Sequence, residues 1–318
     1  MTNYTPTIAD RRVEVIEVGT RDGLQIEKTI IPAARKIDLI NRMIDAGMRN
    51  IEVTSFVSPK AVPQLADAEE VLAGIARRPD TNLMALVPNQ RAAERAVRTP
   101  LDGGVLLCSA SNTHNRKNLN RTILESLDRM DEVAATLKSG GKKLYGAIAT
   151  TFGCPFEGEV AFSDVLAIGR KYFELGADHI TLSDTTGMAT PTNIREIVTA
   201  MRKELPGATF GLHLHNTRGI GLANVLAGLD LGIRRFDSSV GGLGGCPFAA
   251  GATGNICTED LLFLLEECGY DTGVDLEKAI GVAHTMEAYL GKALVGQVMR
   301  AGPRLRLHEA SAVSTAAG

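Results

Sequence analysis

From residue 13 onward the chain repeats one pattern eight times, a short β-branched or apolar run followed by a longer segment with apolar residues at helical spacing. Parallel strands need a crossover between them, and a helix supplies it, so this alternation marks βαβ units. Strands are expected over residues 13–18, 50–54, 82–87, 104–108, 144–150, 179–182, 209–215 and 236–240. Helices are expected over 33–46, 64–77, 90–98, 122–139 and 163–175, from Pro191 onward, and over 222–231 and 258–268. Local signals agree: Gly47 stops the first helix, Thr122 and Glu125 form a capping-box pattern, and Pro191 suits a first helical turn. Eight pairs in about 255 residues match an α/β fold of the (β/α)8 TIM-barrel type, whereas a doubly wound sheet rarely needs eight repeats without a nucleotide fingerprint. All 318 residues are expected to form one domain: a barrel over about 13–270, additional C-terminal helices within about 275–300, and a loose tail over 305–318. The helical appendage is expected to cover one end of the barrel or to make an oligomer contact.

Composition removes several functional classes. Apolar residues at 44% and charged residues at 22% are ordinary for a soluble globular chain. A net charge of -3 argues against nucleic acid as the main partner. No apolar run reaches the roughly 18 residues of a membrane helix, so no membrane partner is expected. The five cysteines show no CxxC spacing, which points to neither a disulfide framework nor a zinc knuckle. Residues 1–12 read as neither a secretory nor a transit leader, so a cytoplasmic location is expected.

In a barrel of this kind the chemistry sits where the strands end. The run from Gly211 to Asn216 sets His213 and His215 two apart on a strand, which turns both imidazoles to one face. Asp22 follows the first strand, a near neighbour of the seventh in a closed barrel, and can share a cation with the two histidines. Oxygen and nitrogen donors without a thiolate suit Mg²⁺ or Mn²⁺ better than structural zinc. Other strand ends bring Arg21, Glu52, Thr54, Ser109, Ser111, Asn112, Thr150, Thr151, Asp184 and Thr185. After the eighth strand, Gly241, Gly242, Gly244 and Gly245 lead into Cys246, a loop whose glycines open backbone conformations closed to other residues. Cys246 is read either as a plain buried thiol or as a chemically active one.

These strings together resemble the 3-hydroxy-3-methylglutaryl-CoA lyases, part of a wider superfamily of metal-dependent aldolase and Claisen-type barrels. The resemblance spans about residues 13–300, and its carriers are the segments 18–25, 54–60, 153–155, 183–185, 213–215 and 242–247 with Gly254 and Asn255. It implies cleavage of a 3-hydroxy-3-methylglutaryl-CoA-type thioester to acetyl-CoA and acetoacetate, the chemistry of leucine degradation and ketone-body formation. It also implies a divalent cation, Mg²⁺ or Mn²⁺, on Asp22, His213, His215 and Asn255. His213 or Asp22, or a bound water, is the candidate base for the C3 hydroxyl proton. Arg21 would steady the enolate with Glu52 holding it, and Cys246 would return a proton to the enolate carbon. Arg21, Gln25, Thr54, Ser55, Asp184, Gly244 and Gly245 are the implied substrate contacts, and a homo-oligomer, dimeric or larger, is expected.

The chain departs from the lyase pattern at Thr20, Ile26, Asn216 and Arg218, where proline, asparagine, aspartate and tyrosine are usual. These positions adjoin the site and bear on the identity of the acyl-CoA, so citramalyl-CoA or a longer 3-substituted glutaryl-CoA stands as the alternative substrate. A condensing synthase and a non-catalytic barrel are the remoter alternatives.

Overall fold

Eight parallel strands, each bonded to the next in chain order and the last bonded to the first, close into a barrel. The computed structural model describes residues 11–245 and 254–307. The strands are β1 (Glu14–Glu17), β2 (Asn50–Ser55), β3 (Asn82–Leu86), β4 (Gly103–Ser109), β5 (Lys143–Ala149), β6 (His179–Asp184), β7 (Phe210–Leu214) and β8 (Arg235–Ser238). Around them run α1 (Ala33–Asp45), α2 (Ala68–Gly74), α3 (Gln90–Ala96), α4 (Asn112–Leu119), α5 (Ile123–Ser139) and α6 (Phe162–Glu174). The ring continues with α7 (Pro191–Glu204), α8 (Gly221–Asp230) and α9 (Thr258–Glu267), and α10 (Leu276–Leu290) and α11 (Val298–Ala301) follow the barrel. Among the described residues, no helix is long and apolar enough to cross a membrane.

The main core lies between the strands and the helices. Ile51, Leu83, Leu106, Ile148, Leu182 and Leu212 bury their side chains there against the helical stripes, α1 supplying Leu39, Ile40, Met43 and Ile44. Each such side chain contributes about 1.5–3 kcal/mol. A second, smaller apolar cluster of Ile16, Val18, Met84, Leu86, Val105 and Tyr145 lies within the barrel.

Several local outcomes follow the sequence signals. Thr122 and Glu125 make the reciprocal capping box of α5, and Pro191 opens α7 behind a Thr190 cap. Others do not. The expected helix over 64–77 is divided into a 3₁₀ turn, Pro63–Leu65, and the short α2. Buried Lys36 reaches across from α1 to the Gln64 carbonyl oxygen and the Asp67 carboxylate, so that carbonyl is bound outside any helical ladder. The polar α4 carries no apolar period to announce it, and Ser111 caps it by accepting from His114 N at 3.1 Å. The helical stretch expected over 276–299 breaks at Gly291, which takes a left-handed conformation with φ of 65°. Beyond that break the chain returns to the barrel, where Val295 N donates to Gly241 O at 3.3 Å, behind the start of the glycine loop.

One irregularity decides which residues enter the barrel. In β2, Glu52 pairs with Met84 and Thr54 with Ala85, so Val53 is the extra residue of a bulge. The alternation is thereby reversed: Glu52 and Ser55 line the interior cavity, while Thr54 sits beside Ala85, a member of the outer core.

Candidate active site

At the C-terminal mouth of the barrel, His213 near the end of β7 and His215 just past it both turn inward. His213 Nε2 and His215 Nε2 face each other at 3.1 Å. Asp22 Oδ2 stands 3.9 Å from the His215 nitrogen and 4.0 Å from that of His213. Asp22 arrives there because the chain after β1 winds into a single π-helical turn, Gly19–Gly23, in which three backbone amides converge on the Val18 carbonyl. Asn255 closes the group, donating from Nδ2 to Asp22 Oδ2 at 2.7 Å and to Leu243 O at 2.9 Å. Its Oδ1 is buried and accepts no hydrogen bond among the described residues.

The residues fit a divalent cation. Two nitrogen ligands on adjacent positions of an octahedral ion with bonds of about 2.1 Å stand about 3 Å apart, close to the separation of the imidazoles. A buried amide oxygen without a donor is costly unless a ligand completes it. Gly244 runs close over the same spot: a Cβ there would come within 2.6 Å of Asn255 Nδ2 and 3.1 Å of Asp22 Oδ2, and its φ of +111° itself favours glycine.

Charge pairing holds the cluster rigid. Arg21 donates from Nε to Glu52 Oε1 at 2.8 Å and from Nη2 to Oε2 at 2.9 Å, and its Nη1 donates to Asp22 Oδ1 at 2.7 Å. Burial alone would raise the pKa of Asp22, but the Arg21 charge and then the two histidines pull it down to about 2. For Arg21, burial opposes the charge, while Glu52 and Asp22 more than restore it, so the guanidinium stays protonated. Glu52 is moved the other way, since burial outweighs the pull of Arg21.

Asp237 is the site residue that sequence reasoning passed over. Its Oδ2 lies 3.1 Å from His213 Nδ1, which leaves Nε2 of that ring for the cluster. The signal was present: Asp237 is a lone acid within β8 and the register partner of His213. A second omission is the backbone at Thr150, a β-branched residue held at φ of 56°. Its amide donates to Thr185 Oγ1 at 2.9 Å, and Thr185 lines the cavity.

The other expected residues divide. Gln25, Ser55 and Gly245 line a cavity of about 310 Å³ together with Arg21, Glu52 and both histidines. Thr54 is turned away by the bulge. Asp184 is not part of the cavity wall: its Oδ1 accepts from Met188 N at 2.7 Å and Ala189 N at 3.0 Å, and burial still pushes its pKa up to about 6. The side chains of Ser111 and Asn112 accept the backbone amides of His114 in α4 and Ile123 in α5, and buried Ser109 meets His114 Nδ1 at 2.7 Å. Cys246 lies outside the described residues.

The molecule has close relatives. It is 40% identical to the human mitochondrial hydroxymethylglutaryl-CoA lyase over 295 residues, 93% of this chain and 91% of that protein. It is 40% identical to the hydroxymethylglutaryl-CoA lyase of Bacillus subtilis over 284 residues, 89% of this chain and 95% of that one. An HMG-CoA lyase from Acinetobacter baumannii, solved in complex with coenzyme A and 3-methylmalate, superposes with a TM-score of 0.91 at 46% identity, covering 96% of this chain and 99% of that one. The family model described as HMGL-like matches residues 12–286, most of the chain, and the chain belongs to that family.

Proposed function

We propose that this enzyme cleaves 3-hydroxy-3-methylglutaryl-CoA to acetyl-CoA and acetoacetate, with a divalent cation, Mg²⁺ or Mn²⁺, held by Asp22, His213, His215 and Asn255. The observation that carries the reading is the convergence of Asp22, His213 and His215 within 4.8 Å, beside a paired Arg21, in a chain so similar to known lyases. When bound, the cation lowers the pKa of the C3 hydroxyl and fixes its orientation.

The protein's own groups supply the rest. The hydroxyl proton leaves, the C2–C3 electron pair moves onto the thioester to form an enolate, and C3 becomes the ketone of acetoacetate. Among the candidate bases, the pKa of Asp22 is held down to about 2, and His213 would spend Nε2 on the cation and Nδ1 on Asp237, so a bound water is the group left to take the hydroxyl proton. Of the five N–H groups of a guanidinium, Arg21 commits three to Glu52 and Asp22, so one on each terminal nitrogen remains for the developing enolate oxygen. Glu52 is a positioning residue that keeps this fork aimed. Cys246 follows Gly245, which lines the cavity, and delivers the proton that turns the enolate carbon into the methyl group of acetyl-CoA.

The free thiols at Cys108, Cys154, Cys257 and Cys268 suit a reducing cytoplasm, and the reaction suits leucine degradation. A homo-oligomer is the proposed assembly. Incubation of the purified enzyme with 3-hydroxy-3-methylglutaryl-CoA and Mg²⁺ or Mn²⁺ tests the reaction. Acetyl-CoA and acetoacetate should appear in equal amounts, and the absence of both would reject the assignment.

A further inference from the structure

Between Ile16 and Val18, whose side chains belong to the cluster inside the barrel, Glu17 turns outward from β1 and is wholly buried. A carboxylate in that position is costly unless partners meet it. Three donors do so, rather than a cation. Its Oε1 accepts from Gly19 N at 2.7 Å and from Val240 N at 3.0 Å, and its Oε2 accepts from Thr258 Oγ1 at 2.5 Å. Thr258 Oγ1 lies in turn 2.8 Å from Oγ of Ser238, the residue paired with Glu17 across β1 and β8.

These donors stand at the start of three segments that build the metal site. Gly19 opens the π-helical turn that carries Arg21 and Asp22. Val240 opens the 3₁₀ turn before Leu243, whose carbonyl oxygen holds Asn255 Nδ2. Thr258 opens α9, three residues past Asn255. The approach is close: a Cβ on Gly19 would come within 2.6 Å of Glu17 Oε1, so glycine is what admits the carboxylate to that amide. Asp22 and Asn255 are 233 positions apart in sequence and bond to each other at 2.7 Å, and one side chain of fixed length ties their segments together behind that contact.

We infer that Glu17 is a positioning residue for the cation: the reach of its side chain sets how the Asp22 turn stands against the Asn255 segment, and with it the affinity of the site for Mg²⁺ or Mn²⁺. The inference rests on the metal site of the lyase reading and adds a residue that acts on it through backbone. Reach matters here more than charge. Burial outweighs the three donors and lifts the pKa of Glu17 to about 7, and a glutamine of the same length can still accept both amides on one oxygen. Aspartate keeps the charge but is shorter by about 1.5 Å, so it cannot meet all three donors together.

Mn²⁺ titration of the purified protein, with thermal unfolding measured alongside, tests the role. Glu17→Gln should bind Mn²⁺ close to the native affinity, and Glu17→Asp should bind it at least about tenfold more weakly while still folded. Thr258→Val removes the tie from α9 and leaves the reach of Glu17 alone. It should weaken Mn²⁺ binding several-fold, and it serves if the aspartate variant fails to fold. Native affinity in the aspartate variant, or in the valine variant where only that one folds, with the unfolding temperature alone lowered, would make Glu17 a packing residue and overturn the proposal. A glutamine variant weaker than the aspartate one would overturn it too, since charge would then control the site. Either result leaves the lyase reading standing where the native enzyme cleaves 3-hydroxy-3-methylglutaryl-CoA, whereas a native enzyme that binds no Mn²⁺ would overturn the positioning role together with the metal site.

Discussion

Along β3, β4 and β5 the barrel cavity is lined by Met84, Leu86, Val105, Leu107 and Ala147, while from β6 round to β2 it is lined by Thr181, Ser183, His213, Asp237, Arg21 and Glu52. The first arc is held by removing carbon from water, the second by matching each charge to a partner, since a buried unpaired charge is among the costliest things a fold can contain. The polar arc adds little net stability, and its pairing serves to fix geometry. Changes in it that leave no buried charge without a partner should therefore alter chemistry with the fold retained, and changes behind the apolar arc should do the reverse.

The largest expected effect is at Arg21. Arg21→Lys removes the fork that grips Glu52 and reaches the enolate, so kcat should fall by about 10²–10³ with little change in substrate affinity. Single-turnover kinetics and equilibrium binding of a substrate analogue separate the two, and an unchanged kcat would remove Arg21 from the mechanism. Asp237→Asn comes next. It withdraws the charge behind the His213 ring and should weaken Mn²⁺ binding by about 10–100-fold, measured by titration of the purified protein. Undiminished affinity would make Asp237 a spectator. On the other arc, Leu106→Ala empties a buried position on the outer face of β4, and chemical denaturation should show a loss of about 2–5 kcal/mol with turnover retained. A loss of turnover at full stability would erase the division between the arcs.

The barrel and the heart of its site were legible because they rest on strong periodicities. The eightfold alternation gave the strands, and a spacing of two residues in a strand sufficed to bring His213 and His215 together. What escaped depends on contacts distant in sequence. The bulge at Val53, which places Ser55 rather than Thr54 in the cavity, has no local signal in a run of strand-forming residues. Asp184 looks like any carboxylate at a strand end until the amides of Met188 and Ala189 are seen to occupy it. The split before α2 depends on Lys36, about thirty positions upstream, and helix propensity contains no such term. Asp237 differs from these, because inward alternation in β8 announces it once a lone acid in a buried strand is treated as a question.

The most direct measurement is turnover of 3-hydroxy-3-methylglutaryl-CoA by enzyme stripped with a chelator and then given back Mg²⁺ or Mn²⁺. Removal of the ion should lower the rate by at least about a thousandfold and its return should restore it, while His215→Ala should stay inactive at the same ion concentration. Full turnover by the stripped enzyme, or an unimpaired His215→Ala variant, would contradict a metal-assisted cleavage built on Asp22, His213 and His215.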